Sequence, residues 1–235
     1  MSTTDYQFPV DLLLSYGDCR NFKTWPDYPQ ELELTADHIP ELIAMATDDG
    51  LHHCDPDSLE IWAPVHAWRA LGQLRAKAAI APLVNLLDNR DNDWLSSEAP
   101  EVLRLIGPAS IPVLIQFLAN ASHNLWARAD AAQCLVTISK YYPQEQERCV
   151  EAITQPLENF EQNDPTLNGL LISYLIELQA VEAAPLIERA FASFCVDLYI
   201  VGNWYDVQLE LGLEAIENSG STWRQNIGVR SHSVF

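Results

Sequence analysis

The chain has 235 residues, with 33 acidic against 13 basic ones, a formal net charge of -20, 48% hydrophobic and 20% charged residues. That balance belongs to a folded globular protein with a substantial core, not to a disordered chain. The acid excess argues against a nucleic-acid binder, which needs clustered Lys and Arg to neutralise phosphate, and against docking on anionic lipid.

The first residues, Met1 to Val10, contain no basic side chain, and Asp11 interrupts the apolar run, so no signal peptide is expected. No apolar stretch approaches bilayer length; segments such as Ile111–Ile115 end within a few residues. A leader runs through about Ala36, followed by an incomplete unit from Asp37 to Asp49. Helix pairs are predicted at roughly 63–89, 97–120, 127–161 and 166–194, with polar loops over 48–60 and 89–96. Beyond Cys195 a closing helix is predicted near Asn203–Leu211, ahead of a polar tail from Asn218. The domain division is therefore 1–36 as leader or cap, 37–194 as helical repeats, and 195–235 as closing helix and tail.

An internal repeat underlies that map. Trp62, Trp94 and Trp126 are spaced 32 residues apart. Five positions after each comes Ala67, Ala99 or Ala131; eight after, Ala70, Val102 or Cys134; nine after, Leu71, Leu103 or Leu135; twelve after, Leu74, Ile106 or Ile138. Those offsets share one face of a 3.6-residue helix, so each unit repeats the same apolar stripe. A second helix in each unit opens with proline, as in Ala81-Pro82-Leu83, Ile111-Pro112-Val113 and Ala184-Pro185-Leu186. Proline fits there because first-turn N–H groups have no intrahelical acceptor. Gln155-Pro156-Leu157 is either a degenerate version of this start or a kink. The short connections at 75–79, 107–110 and 179–183 force antiparallel pairs. The fold class expected is all-α: a right-handed α-solenoid of stacked antiparallel helix pairs.

Ala70-Leu71-Gly72-Gln73-Leu74 with Ala79-Ile80-Ala81-Pro82-Leu83-Val84, and Leu105-Ile106-Gly107-Pro108-Ala109-Ser110-Ile111-Pro112, resemble HEAT repeats. They are most similar to the short bacterial PBS-lyase HEAT-like group, and the likeness covers about two-thirds of the chain. The matching residues are packing residues, so the resemblance implies a fold and says little of activity. The bilin lyases of that group attach or detach chromophores, but no motif here allows a catalytic or bilin-binding residue to be carried over. Tyr141-Tyr142-Pro143 departs from the short glycine turn of the pattern.

Four residues after each marker tryptophan comes an ionisable one: His66, Glu98 and Asp130. Positions i and i+4 lie side by side, so Trp62, His66, Trp94, Glu98, Trp126 and Asp130 would form an edge of alternating indole and polar groups. Such an edge suits Arg or Lys, which pair with carboxylate and lie over indole. The structural alternative is that the indoles staple helix starts and the acids favour the helix dipole. The loop His52-His53-Cys54-Asp55-Pro56-Asp57 holds possible metal donors without a known ligand spacing, and its Asp-Pro-Asp-Ser segment already reads as a turn; no metal and no cofactor are expected. The five cysteines, at 19, 54, 134, 149 and 195, are scattered with no CxxC, as reduced cytoplasmic thiols would be. Arg69, Arg104, Arg128 and Arg148 are expected to pair with neighbouring acids. Asn168-Gly169 marks either a close helix approach or a polar contact.

The function expected is a non-enzymatic, cytoplasmic protein-interaction module or scaffold that binds a basic partner segment. The alternatives are a bilin-lyase-like chromophore factor and an acidic inhibitor or immunity-type protein. Acid is concentrated at the ends: residues 24–68 hold ten acidic and no Lys or Arg, and residues 190–223 hold five and none.

Overall fold

The computed structural model describes residues 5–89 and 93–213, and among these there are helices and no strands. Thirteen α-helices occur in them: α1 Tyr28–Glu31, α2 Ile39–Ala46, α3 Asp49–His52, α4 Ala63–Gln73, α5 Ile80–Asn85, α6 Asp93–Ile106, α7 Ile111–Ala119, α8 Leu125–Tyr141, α9 Gln146–Leu157, α10 Pro165–Glu177, α11 Ala184–Ala192, α12 Leu198–Val201 and α13 Trp204–Glu210. Successive first helices pack on one another, α2 on α4, α4 on α6, α6 on α8, α8 on α10 and α10 on α12. The second helices α5, α7 and α9 contact each other in the same order.

The repeated stripe supplies the contact surface of the first helices. Of its twelve side chains all but Leu74 are buried, Cys134 filling the slot taken by Ala70 and Val102 in earlier units. Burial raises the Cys134 thiol pKa well above its ordinary value and pushes Cys149 to about 11, so both are inert at neutral pH. Small residues let the backbones approach: a Cβ added at Gly72 would stand 3.3 Å from the Val102 Cα on α6. The core is one contiguous cluster running from Tyr6 to Leu211.

The turn closing each first helix has a repeated geometry that composition hides. Gly107 takes φ +100°, and the same left-handed region is occupied by Arg75 at 53° and Gln179 at 54°. Each is followed by a 3₁₀ turn (Lys77–Ala79, Pro108–Ser110, Val181–Ala183) that feeds the next helix. At Arg75 and Gln179 the reversal is sealed by the 6→1 hydrogen bonds Ala76 N–H to Leu71 C=O (3.0 Å) and Ala180 N–H to Leu175 C=O (2.9 Å). The third unit does depart, with Tyr142 at φ −120° where the others have a positive φ.

Several boundaries differ from expectation. The predicted loop over 89–96 gives way to α6, which starts at Asp93; Trp94 therefore lies inside its first turn. Pro156 sits in the last turn of α9 and starts no helix. Asn168-Gly169 proves to be both a polar contact and a close approach. Buried Asn168 donates to the carbonyls of Phe160 (2.8 Å) and Cys195 (2.7 Å) and accepts from Asn163 (2.9 Å). A Cβ on Gly169 would meet Ile200 at 3.1 Å. The predicted tail from Asn218 lies outside the described residues.

The leader is packed, not appended. Tyr6, Val10, Leu13, Cys19, Tyr28, Leu32 and Leu34 are buried, and Gln73 on α4 holds the segment by donating to Pro26 C=O (2.8 Å) and accepting from Tyr28 N–H (3.0 Å).

Candidate functional site

The marker tryptophans stand at the entrances of the first helices: Trp62 caps α4, and Trp94 and Trp126 are the second residues of α6 and α8. Trp62 and Trp94 meet edge to face, with ring centroids 5.0 Å apart. Trp94 is 37% exposed and Trp126 49%. Over the Trp62–Trp94 pair lies Arg20 of the leader, its guanidinium 5.0 Å from one ring centroid and 5.5 Å from the other. Asp18 grips the same guanidinium, accepting from Nε at 2.9 Å and from Nη2 at 2.6 Å.

The polar partners at i+4 do not line up beside the indoles. His66 is fully buried among Tyr16, Phe22 and Tyr28 of the leader. Its Nε2 stands 2.8 Å from the Gly17 carbonyl, which can only accept, so Nε2 carries the proton and Nδ1 accepts from the Tyr28 hydroxyl at 2.6 Å. Both ring nitrogens of the neutral tautomer are thus satisfied. Burial holds the His66 pKa below its ordinary value.

Glu98 is also inside, 8% exposed, and takes a bidentate pair from Arg69 on α4: Nε to Oε2 at 2.9 Å and Nη2 to Oε1 at 2.6 Å. Trp25 of the leader covers that guanidinium at 4.9 Å. Asp130 is half-buried and accepts from the Ser96 hydroxyl at 2.6 Å, tying α8 to α6. The structure therefore brings Trp62 and Trp94 together, turns His66 and Glu98 inward, and spends a Ser96 bond on Asp130. The inward turn comes from packing between segments distant in the chain. The leader's Tyr16, Phe22 and Tyr28 close over His66, and Arg69 of α4 draws Glu98 against the neighbouring unit.

Three further residues belong to this region and carried no repeat signal: Arg20, Asp18 and Trp25. A groove of about 590 Å³ opens at Trp25, lined also by Gln73, Ser97, Glu98 and Glu101. Its acids are balanced, since Arg104 pairs with Glu101 as Arg69 does with Glu98.

The stripe, the left-handed turn and the 3₁₀ start of the second helix are all contained in the segment from His66 to Asn89. That segment, residues 66–89, matches the PBS lyase HEAT-like repeat. The chain carries a HEAT-like repeat. No curated protein and no solved structure matches it. The matched residues of this repeat are core and turn residues; of the edge described above they include only His66, which is buried.

The remaining sequence candidates are engaged locally. His52 stacks on Trp68 at 5.8 Å and reaches the Ala46 carbonyl with Nε2 at 3.2 Å, and His53 Nδ1 contacts the Asp49 carbonyl at 2.9 Å. Among the described residues no three His, Cys, Asp or Glu side chains converge as a metal site, and no single helix is long and apolar enough to cross a membrane. Of the four arginines expected to meet acids, Arg69, Arg104 and Arg148 do. Arg128 does not: 7% exposed, it donates from Nε to the Leu118 carbonyl at 2.9 Å and lacks a carboxylate partner among the described residues. Burial pulls its pKa down, though an arginine remains charged.

Proposed function

We propose that this HEAT-like protein is a non-enzymatic interaction module of the cytoplasm, a right-handed α-solenoid of antiparallel helix pairs whose tryptophan edge receives Arg side chains of a basic partner segment. The observation that carries this reading is Arg20. A guanidinium of the chain's own already rests over Trp62 and Trp94, which is the contact a partner arginine would make at the same edge and at Trp126. The charge of -20 supports attraction of such a segment at long range, while the indoles would select guanidinium over ammonium. The buried pair Arg69–Glu98, the buried His66 and the Ser96-bound Asp130 serve the scaffold under this reading, so the binding residues reduce to Trp62, Trp94 and Trp126.

The test uses tetra-arginine and tetra-lysine peptides titrated against the full chain, followed by tryptophan fluorescence. Arginine is expected to bind more tightly than lysine and to weaken with salt. Trp94→Ala and Trp126→Ala are each expected to weaken it about two- to fivefold, the size of an exposed cation–π contact. If both variants bind tetra-arginine as the parent does, attraction is only a matter of net charge and the edge is not the site.

A further inference from the structure

We propose that a cavity between the α7–α8 connection and the α9–α10 connection is a binding site for a small carboxylate, separate from the tryptophan edge. The cavity measures about 500 Å³, the size of a small-molecule site. Its apolar lining includes Leu125, Pro156 and Leu167, and its polar lining includes the amides of Gln155, Asn159 and Gln162.

Arg128 provides the reason to expect an anion. The side chain lines this cavity and is more than nine-tenths buried, yet only its Nε is used by the protein. Two arginines are buried among the described residues; Arg69 is met by a carboxylate and Arg128 is left without one, in a chain with 33 acidic residues. The remaining N–H groups of the guanidinium are not enclosed by protein and open onto the cavity, where the oxygens of a ligand can replace water.

The surroundings select the anion. One guanidinium offers parallel N–H groups that fit the two coplanar oxygens of a carboxylate. A phosphate dianion would call for a second cation, and the wall supplies amides instead. His123, the other basic group on the wall, is held by Asp88 and stacked on Phe117 at 3.8 Å. Asp164, also in the lining, caps α10 by accepting from Thr166 N–H at 2.8 Å, and its charge works against a dianion. The amides both donate and accept, so the ligand carries hydrogen-bonding groups beyond its carboxylate.

The site is also preorganised. Asn163 in the wall donates to the Pro156 carbonyl at 2.8 Å and to Asn168 at 2.9 Å, and Asn168 is anchored to Phe160 and Cys195. A wall already tied by hydrogen bonds loses little entropy when a ligand enters.

Calorimetric titration of the full chain with N-acetylalanine, N-acetyl-trialanine, their C-terminal amides and inorganic phosphate tests the proposal. Each acid is expected to bind at least about tenfold more tightly than its amide, as a charge-assisted pair requires, and phosphate to bind more weakly than either acid. Binding of N-acetylalanine assigns the site to free small carboxylates; binding of the tripeptide alone assigns it to a chain end. Arg128→Gln should abolish binding. Gln162→Ala, on an exposed wall position, should weaken it while leaving the unfolding midpoint unchanged, which separates loss of the site from loss of the fold. Equal binding of acid and amide, preference for phosphate, no binding of either acid, or unaltered binding by a folded Arg128→Gln variant would each overturn the assignment.

Discussion

Arg69 on α4 and Arg128 on α8 are both buried guanidiniums on first helices, and they sit in opposite surroundings. Arg69 receives two oxygens from Glu98 of the next unit and the ring of Trp25 from the leader. Arg128 has one backbone carbonyl and an open cavity. The difference lies in what covers each region. At the amino-terminal side, Glu98 and the leader's Trp25 enclose the guanidinium and leave its Nη1 without an acceptor. At the α7–α10 junction, no described segment performs that service. A buried charge in a repeat protein is structural where the chain supplies its complement and available for binding where it does not.

The largest expected effect breaks the amino-terminal half of this contrast. Glu98→Ala would leave Arg69 buried and unpaired and should cost about 3–5 kcal/mol in denaturant unfolding. The double change Arg69→Met with Glu98→Leu should recover most of that loss, since apolar replacement of a buried pair is often near neutral. If Glu98→Ala were as stable as the parent, Arg69 would not be held by its partner and the distinction from Arg128 would collapse.

The effect of pH on His66 comes next. Its folded pKa lies below its unfolded one, so the folded state binds fewer protons. The stability it contributes is complete above its ordinary value of about 6.5 and declines as pH falls through that value toward the folded pKa. Half-buried His52 shares this direction. Thermal unfolding of His66→Gln should therefore show a smaller loss than the parent between about pH 7.5 and about pH 5.5, although the variant starts less stable. Parallel curves for the two proteins would contradict the neutral, doubly bonded His66.

The smallest effect concerns Arg20, whose side chain is 62% exposed. Arg20→Ala should leave the unfolding midpoint unchanged within error while altering tryptophan emission, because the guanidinium leaves the Trp62–Trp94 face. A large stability loss would mean that the leader is pinned by this contact and that the edge is part of the scaffold.

What the sequence could reveal follows from the range of each interaction. The offsets of Ala67, Ala70, Leu71 and their counterparts specify helix, buried face and repeat, because all three arise within one or two turns of chain. The opening prolines of α7 and α11 work equally locally. The left-handed turns at Arg75 and Gln179 were hidden because neither residue is glycine; sealing hydrogen bonds hold a conformation that those side chains disfavour. The tryptophan spacing marked the edge, and the i+4 rule placed His66 and Glu98 beside it when both in fact turn inward.

The charge of -20 and the 32-residue spacing, then, are enough to determine an acidic helical repeat protein and the positions of its core. Tertiary structure alone decided which charges are spent inside it. His66 meets Gly17 across 49 residues, Arg69 meets Glu98 across 29, and Arg20 reaches Trp62 and Trp94 from the leader. Arg128 is left facing a cavity by an equally non-local arrangement, the meeting of two connections about thirty residues apart. Periodicity encodes which face of a helix is apolar; which polar group finds a partner depends on segments distant in the chain, and that is settled only when they pack.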